Sequence, residues 1–268
     1  MKGATSSAGR AVVEQSRVKE ARVVGVIPAR WGSTRLPGKS LIPICGKPLV
    51  VRVVERARQC PLLDAVLVAT DDERIAAVVR GTGAQAVLTR PDHPSGTDRV
   101  AEAVAGTQAE IVINVQGDEP LIDPALIGRL VNALDEDPAV DMATAAAPIM
   151  DAETRTQTGV VKVVCDANGR ALYFSRAVIP WIRDPGSVNP DGLYWRHLGI
   201  YAYRRAFLET LVRTPPCQTE RAEYLEQLRA LHLGARIQVL RTEGPGIGVD
   251  TPQDVQYVER VIRELGLE

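Results

Sequence analysis

Apolar, β-rich runs alternate with amphipathic helical stretches through the first 150 residues, and few architectures accept that rhythm. Residues 22–29 (RVVGVIPA) form an apolar run ending at a proline, the pattern of a strand buried on both faces. Residues 65–70 (AVLVAT), 84–90 (AQAVLTR), 110–116 (EIVINVQ) and 140–149 (VDMATAAAPI) read as further strands. Between them lie four helical patterns. The first, LVVRVVERARQC, follows Pro48, which suits a first helical position, and carries its apolar residues on one stripe with the arginines off it. The second, DDERIAAVVRG, opens with acids and is closed by Gly81; TDRVAEAVAG and DPALIGRLVNALDED complete the set. Strand and helix alternating at this spacing mean right-handed βαβ units and a mainly parallel sheet. In such sheets ligands sit beyond the carboxyl ends of the strands. Two loops, residues 30–40 and 117–120, occupy that edge.

The rhythm changes after about residue 150. Residues 160–176 (VVKVVCDANGRALYFSR) read as a hairpin, with Asn168-Gly169 supplying positive φ angles at its turn. A strand (HLGIYAY), one helix (TERAEYLEQLRALHLG, with Leu225, Leu228 and Leu231 on its stripe), a strand (RIQVLRT) and a terminal helix (PQDVQYVERVIREL) follow. The expected organisation is an N-terminal arm over 1–20, a main domain over 21–268, and a subdomain inserted at about 150–215.

Composition narrows the function classes. At 268 residues and 45% hydrophobic, the chain can bury a substantial core. A net charge of −1 gives no bulk attraction to nucleic acid or an anionic membrane, and no apolar run approaches the ~20 residues needed to span a bilayer. The first twenty residues read as a flexible polar arm without the apolar stretch of a signal peptide. Four scattered cysteines and three distant histidines make no zinc motif and read as reduced residues of a cytosolic protein.

The loop WGSTRLPGKS superficially resembles the phosphate loop G-x-x-x-x-G-K-[ST]. Gly32 lies one residue too far from Gly38, Ser33 stands where the first glycine belongs, and two prolines follow where a helix should begin. The loop nevertheless gathers Arg30, Arg35 and Lys39 within ten residues, a set suited to a polyanion such as a triphosphate. A solvated basic loop is the plainer reading, and the position at the end of the first strand opposes it. A bound triphosphate calls for a metal with oxygen ligands. Asp118 in NVQGDEP and Asp250 in GIGVDTPQD are candidate magnesium ligands, although each could be an ordinary turn or helix-start residue. Thr251 is a plausible N-cap and Pro252 a first helical residue.

The segments IPARWGSTRLPGKSLIPICGKPLV, VATDDERI, RPDHPSGTDR, NVQGDEPLI, ALYFSRAVIPW, RHLGIYAYR, YLEQLR and GPGIGVDTPQD occur in the order seen in the 3-deoxy-manno-octulosonate cytidylyltransferases, and the chain resembles that family from about residue 22 to 260. The first motif alone indicates only a sugar nucleotidyltransferase; RHLGIYAYR, LEQLR and HPSGTDR are more specific. The resemblance implies a Rossmann-like three-layer α/β nucleotidyltransferase fold with a mostly parallel mixed sheet and a small inserted α+β dimerisation subdomain. It implies that CTP and Kdo (3-deoxy-manno-octulosonate) are converted to CMP-Kdo and pyrophosphate with Mg2+, in the cytoplasm, for lipopolysaccharide synthesis by a homodimer. By that resemblance Arg30 and Lys39 contact the triphosphate, Arg35 lies where nucleotide meets sugar, and Arg90, Ser95 and Gly96 lie near the cytidine. Asp118 and Asp250 hold magnesium. Gln116, Arg176, His197, Tyr201, Glu226 and Gln227 face the sugar. The even spacing of His197 and Tyr201 puts both side chains on one side of their strand. Apart from the family, Glu226 and Gln227 would read as solvated helix face.

Three rivals stand against this reading: a cytidylyltransferase for another acidic sugar (an amino-substituted Kdo or sialic acid), a P-loop kinase or NTPase, and a non-catalytic nucleotide-binding module.

Overall fold

A computed structural model describes residues 18–32, 36–184, 186–244 and 246–268. Arg35 and most of the N-terminal arm fall outside these residues. The chain divides into two compact units, one comprising residues up to Gly128 with Ile247–Glu268 and the other Arg129–Gly246.

In the first unit, β1 (Val23–Ala29) pairs in parallel with β4 (Ala65–Thr70) on one side and β6 (Ile111–Asn114) on the other, and β4 pairs in parallel with β5 (Gln85–Leu88). Val24, Val26 and Ile27 expose no surface, as their unbroken apolar run requires. Each such side chain stabilises the fold by roughly 1.5–3 kcal/mol through burial. Helices α1 (Leu49–Ala57) and α3 (Gly96–Val104) pack on β1. Helix α2 (Glu73–Gly81) is capped by Asp72, whose carboxylate accepts the Arg74 N–H.

Two local expectations need correction here. Pro48 is the N-cap of α1, with an extended ψ of 139°, because it still belongs to a short β-ribbon of Pro43–Ile44 (β2) and Lys47–Pro48 (β3). Arg52 of α1 is buried. Its guanidinium donates to the carbonyls of Ile44, Cys45 and Leu267 at 2.6, 3.0 and 3.0 Å, so its buried charge is met by backbone acceptors. Gly81 ends α2 as expected, and a left-handed conformation follows at Gly83. The closing helix α9 (Pro252–Glu264) starts as expected, with Thr251 and Asp254 in a reciprocal capping box and Pro252 at its first position. Ile44, Leu49, Val249, Val258 and Ile262 form the core that joins ribbon, α1 and α9.

Helix α4 (Pro124–Glu136) leads into the second unit, where β7 (Met142–Pro148) carries two neighbours. Strand β10 (Trp195–Arg204) is antiparallel to it and β11 (Ile237–Arg241) parallel. After the short helix α5 (Ala152–Thr156), β8 (Lys162–Cys165) and β9 (Ala171–Ser175) form the expected hairpin, with β8 also pairing β10. Its turn differs from the Asn-Gly expectation. Only Gly169 takes a positive φ, of 76°, while the Asp166 carboxylate accepts from the N–H groups of Asn168 and Arg170, both at 2.8 Å. The register slips between Val164 and Cys165, giving a longer, bulged loop.

The single helix expected over 219–234 is two helices after α6 (Arg205–Arg213): α7 (Gln218–Glu223) and α8 (Gln227–His232). Tyr224 breaks them with a left-handed φ of 52°. The carbonyls of Glu223 and Tyr224, released where the helix stops, accept from the Arg176 guanidinium at 2.7 and 3.4 Å. Arg229 of α8 meets Glu220 of α7 with two bonds, at 2.7 and 2.5 Å, both side chains almost wholly buried. The break also turns Gln227 inward, with 4% of its surface exposed, in contrast to the solvated face that the helix pattern suggests apart from the family.

Candidate active site

Beyond the carboxyl ends of β1 and β6 lies a cavity of about 390 Å³, where the topology predicts one. Arg30, leaving β1, lines it, and so do Lys39, Gln116, Gly117, Asp118 and Asp250. Loops some eighty and two hundred residues apart thus meet around one space.

Glycine makes this approach possible at two points. A Cβ on Gly117 would lie 2.5 Å from the Pro28 carbonyl oxygen, so only glycine lets the β6 loop cross the end of β1. Gly38 has a φ of 66°, and a Cβ there would press on the Trp31 indole at 3.2 Å. The Trp31 N–H donates to Asp71 at 3.1 Å, and the Arg74 guanidinium stacks on its ring at 3.3 Å from the centroid.

Lys39 follows Gly38 and opens a single 3₁₀ turn, Lys39–Leu41. Its ammonium donates to Asp118 Oδ2 at 2.7 Å and to Asp250 Oδ1 at 3.0 Å. Both carboxylates therefore converge on one cation. They are held from behind: Val249 N–H donates to the Asp118 carbonyl at 2.9 Å, and Asp250 N–H to Asp254 Oδ2 at 2.9 Å. Among the described residues no group of three or more His, Cys, Asp or Glu is placed to hold a metal ion by itself. Two hard carboxylate oxygens aimed at one point fit a magnesium ion that draws its remaining ligands from water and phosphate.

The opposite wall is the N-terminus of α3. Ser95 caps it, its hydroxyl accepting from Asp98 N–H at 3.2 Å and donating to Asp98 Oδ2 at 2.6 Å. Ser95 and Gly96 line the cavity, so the partial positive charge of the helix start faces it. Arg90 does not line it; its side chain is exposed and pairs with Asp92 at 3.0 Å. Among the lining residues not singled out as site residues from the sequence are the ionisable His93 and Arg99. His93 touches the Glu102 carboxylate, which also accepts the Arg90 N–H at 3.1 Å and so ties the 90–95 loop to α3. Burial opposes the charge on Glu102, but these bonds from His93 and Arg90 hold its carboxyl below the ordinary value. Arg99 is buried, bonded to Thr89 at 2.6 Å and to Asp71 at 3.2 Å. An arginine on the apolar stripe of a short helix was the available signal.

In the second unit the sugar-side candidates cluster around β10. His197 and Tyr201 do lie on one side, with ring centroids 5.5 Å apart. The strand bulges between them, His197 opposing Ala146 and Tyr201 opposing Thr144; two extra residues preserve the alternation. Thr144 Oγ1 lies 3.0 Å from His197 Nε2 and 2.8 Å from the Ile200 carbonyl. The threonine proton goes to that carbonyl, which makes Nε2–H the donor to Oγ1 and leaves Nδ1 as an acceptor. Burial lowers the His197 pKa to about 3, so the ring is neutral. Burial, then the charge of Glu226, drives the Tyr201 hydroxyl well above its ordinary pKa, and it donates towards Gln227 Oε1 at 3.5 Å.

Arg176 is fixed on every side. Its N–H donates to Glu223 Oε2 at 2.9 Å, and its guanidinium also reaches the Thr158 carbonyl at 3.1 Å. Its own carbonyl accepts from Lys162, a fully buried lysine that also donates to the carbonyls of Gln157 and Val160. Lys162 and Glu223 carry no signature in the sequence, since their partners are backbone groups or distant residues.

Known proteins match this chain closely. The sequence model of the cytidylyltransferase family covers residues 24–237. The 3-deoxy-manno-octulosonate cytidylyltransferase of Syntrophotalea carbinolica is 48% identical over 91% of this chain and 99% of its own length. That of Chromohalobacter salexigens is 51% identical over 90% and 97%. A solved CMP:2-keto-3-deoxy-manno-octonic acid synthetase in complex with CTP superposes with a TM-score of 0.86 at 43% identity, covering 91% of this chain and 99% of that one. The 4-diphosphocytidyl-2C-methyl-D-erythritol synthase of Anaerococcus prevotii, 13% identical with a TM-score of 0.61, shares the fold alone. With a parallel βαβ core, a mixed second unit and this identity over nine-tenths of its length, the chain belongs to the 3-deoxy-manno-octulosonate cytidylyltransferase family of nucleotidyltransferases.

Proposed function

We propose that the protein transfers the cytidylyl group of CTP to Kdo, giving CMP-Kdo and pyrophosphate for lipopolysaccharide synthesis. The observation that carries this reading is the convergence of Arg30, Lys39, Asp118 and Asp250 on one cavity at the strand ends, in a chain about half identical to CMP-Kdo-forming relatives.

In this reading the Kdo anomeric hydroxyl attacks the α-phosphorus in line, and the bond to the pyrophosphate oxygen breaks. Arg30 and Lys39 bind the triphosphate, and their charges stabilise the departing pyrophosphate. Arg35 assists where nucleotide and sugar meet. The α3 N-terminus at Ser95 and Gly96 and the neighbouring 90–95 loop, including Arg90, receive the nucleoside side. Asp118 and Asp250 hold Mg2+, which when bound neutralises phosphate charge and acidifies the attacking hydroxyl. Gln116 faces the acceptor, together with Arg176, His197, Tyr201, Glu226 and Gln227. Neutral His197 offers Nδ1 as an acceptor and Tyr201 a protonated hydroxyl, both suited to sugar hydroxyls; the cation for the Kdo carboxylate is then Arg176. Assembly as a homodimer and a cytoplasmic location, where CTP is available, belong to the same proposal.

The test is pyrophosphate release from purified protein with Mg2+, CTP and Kdo, each omitted in turn. Release needing all three, with CMP-Kdo formed in equal amount, is the expected result. Release with sialic acid or amino-substituted Kdo and none with Kdo would transfer the assignment to another acidic sugar.

A further inference from the structure

The Lys39 ammonium stands between Asp118 and Asp250, 2.7 and 3.0 Å from their oxygens, at the point on which both carboxylates converge. Its side chain is mostly buried there, with 18% exposed. A divalent cation binding the same two oxygens would meet this ammonium at close range, where the two positive charges repel. A triphosphate offers Lys39 other oxygens of high negative charge. We propose that Lys39 is a built-in counter-cation that closes the Asp118–Asp250 pair to divalent ions until a nucleoside triphosphate draws the ammonium away, so that nucleotide and metal are taken up together. The inference rests on the assignment of Asp118 and Asp250 as the metal ligands.

Three features support a releasable contact over a fixed structural ion pair. The lysine sits on a single 3₁₀ turn beside a left-handed glycine, so its reach is set by a short loop. The two aspartates keep their backbone ties to Val249 and Asp254 without it. A lysine binds as a point charge on a flexible stem, and can exchange one set of oxygens for another without a defined angular fit.

The experiment titrates Mn2+ alone, with no nucleotide, into the full-length protein, reading bound ion by electron paramagnetic resonance. Wild type should bind weakly, and Lys39→Met and Lys39→Gln at least tenfold more tightly; circular dichroism checks that each variant is folded. Adding Asp118→Asn to Lys39→Met should abolish the gain. Equal Mn2+ affinity in wild type and both folded Lys39 variants would overturn the proposal, and loss of CTP-dependent Mn2+ binding in Asp118→Asn would show that the ligand assignment survives it. Tight binding retained in the Lys39→Met, Asp118→Asn protein would overturn the ligand assignment and the proposal with it.

Discussion

Gly117 approaches Pro28 so closely that a methyl group in place of its hydrogen would sit 2.5 Å from the proline carbonyl oxygen. The loop that delivers Gln116 and Asp118 to the cavity is therefore registered against the end of β1 by the absence of a side chain. Backbone must shift to accept alanine there, and an active-site displacement of about 1 Å can lower a rate by ~100-fold. Gly117→Ala should reduce kcat/KM for CTP by roughly 10- to 100-fold, with the circular dichroism spectrum preserved. Near-normal turnover would mean that the loop yields without moving Asp118.

Asp118 and Asp250 reach the same cation from loops on either side of the cavity. Replacing either with alanine should lower turnover by at least ~100-fold, the scale on which charge stabilisation by a metal acts. Thermal unfolding should change little. If added Mg2+ restores an alanine variant to the wild-type rate, the remaining carboxylate suffices by itself.

His197 gives the protein an acid sensitivity of definite sign. In the unfolded chain an imidazole titrates near ~6.5, whereas burial lowers the folded value to about 3. Between those values the unfolded state binds more protons, so stability rises with pH across this window and is lost as pH falls. From pH 7 to pH 5 the loss from this one group is about 2 kcal/mol. Urea unfolding of His197→Gln should show a correspondingly flatter pH dependence. A parallel pair of curves would refute the buried neutral ring.

Glu220 and Arg229 join α7 and α8 inside the second unit. Arg229→Ala should destabilise the protein by about 3–5 kcal/mol, because the carboxylate stays buried without the guanidinium. The double replacement Glu220→Leu, Arg229→Met should recover much of that loss. Equal destabilisation by single and double variants in urea melts would show that packing, and not charge, governs the site.

How much of this was legible beforehand follows from where each residue finds its partner. Strands β1 and β4 were readable to within a residue because their apolar runs fill the positions that the sheet buries. The loops that carry Lys39 and Asp118 were legible as neighbours because parallel topology sends every strand's carboxyl end to one edge. Asp250, in the turn before the last helix, was legible only as a candidate metal ligand and through the family resemblance. The break at Tyr224 was not readable, since the leucine spacing of 225–231 satisfies a continuous helix equally well. The released carbonyls accept from the guanidinium of Arg176, some fifty residues earlier, a partner the helix pattern does not announce. The burial of Gln227 follows from the same break, so the residue pattern without the family could show only a solvated helix face. Arg52 looked like a solvent-facing arginine because its partners, the carbonyls of Ile44, Cys45 and Leu267, have no side-chain signature.

The buried ammonium of Lys162 gathers the carbonyls of Gln157, Val160 and Arg176 into one knot. Arg176 is thereby tethered through its own backbone as well as through its side chain, before any substrate arrives. In the role proposed for it, a cation held this way would have little rotamer freedom left to lose on meeting a carboxylate, and recognition there would begin with the entropy already surrendered during folding. In the proposed uptake of nucleotide with metal, Lys39 is in the opposite condition, exchanging its contacts with Asp118 and Asp250 for phosphate oxygens. The two cations divide the work of binding between a fixed landmark and a moving part.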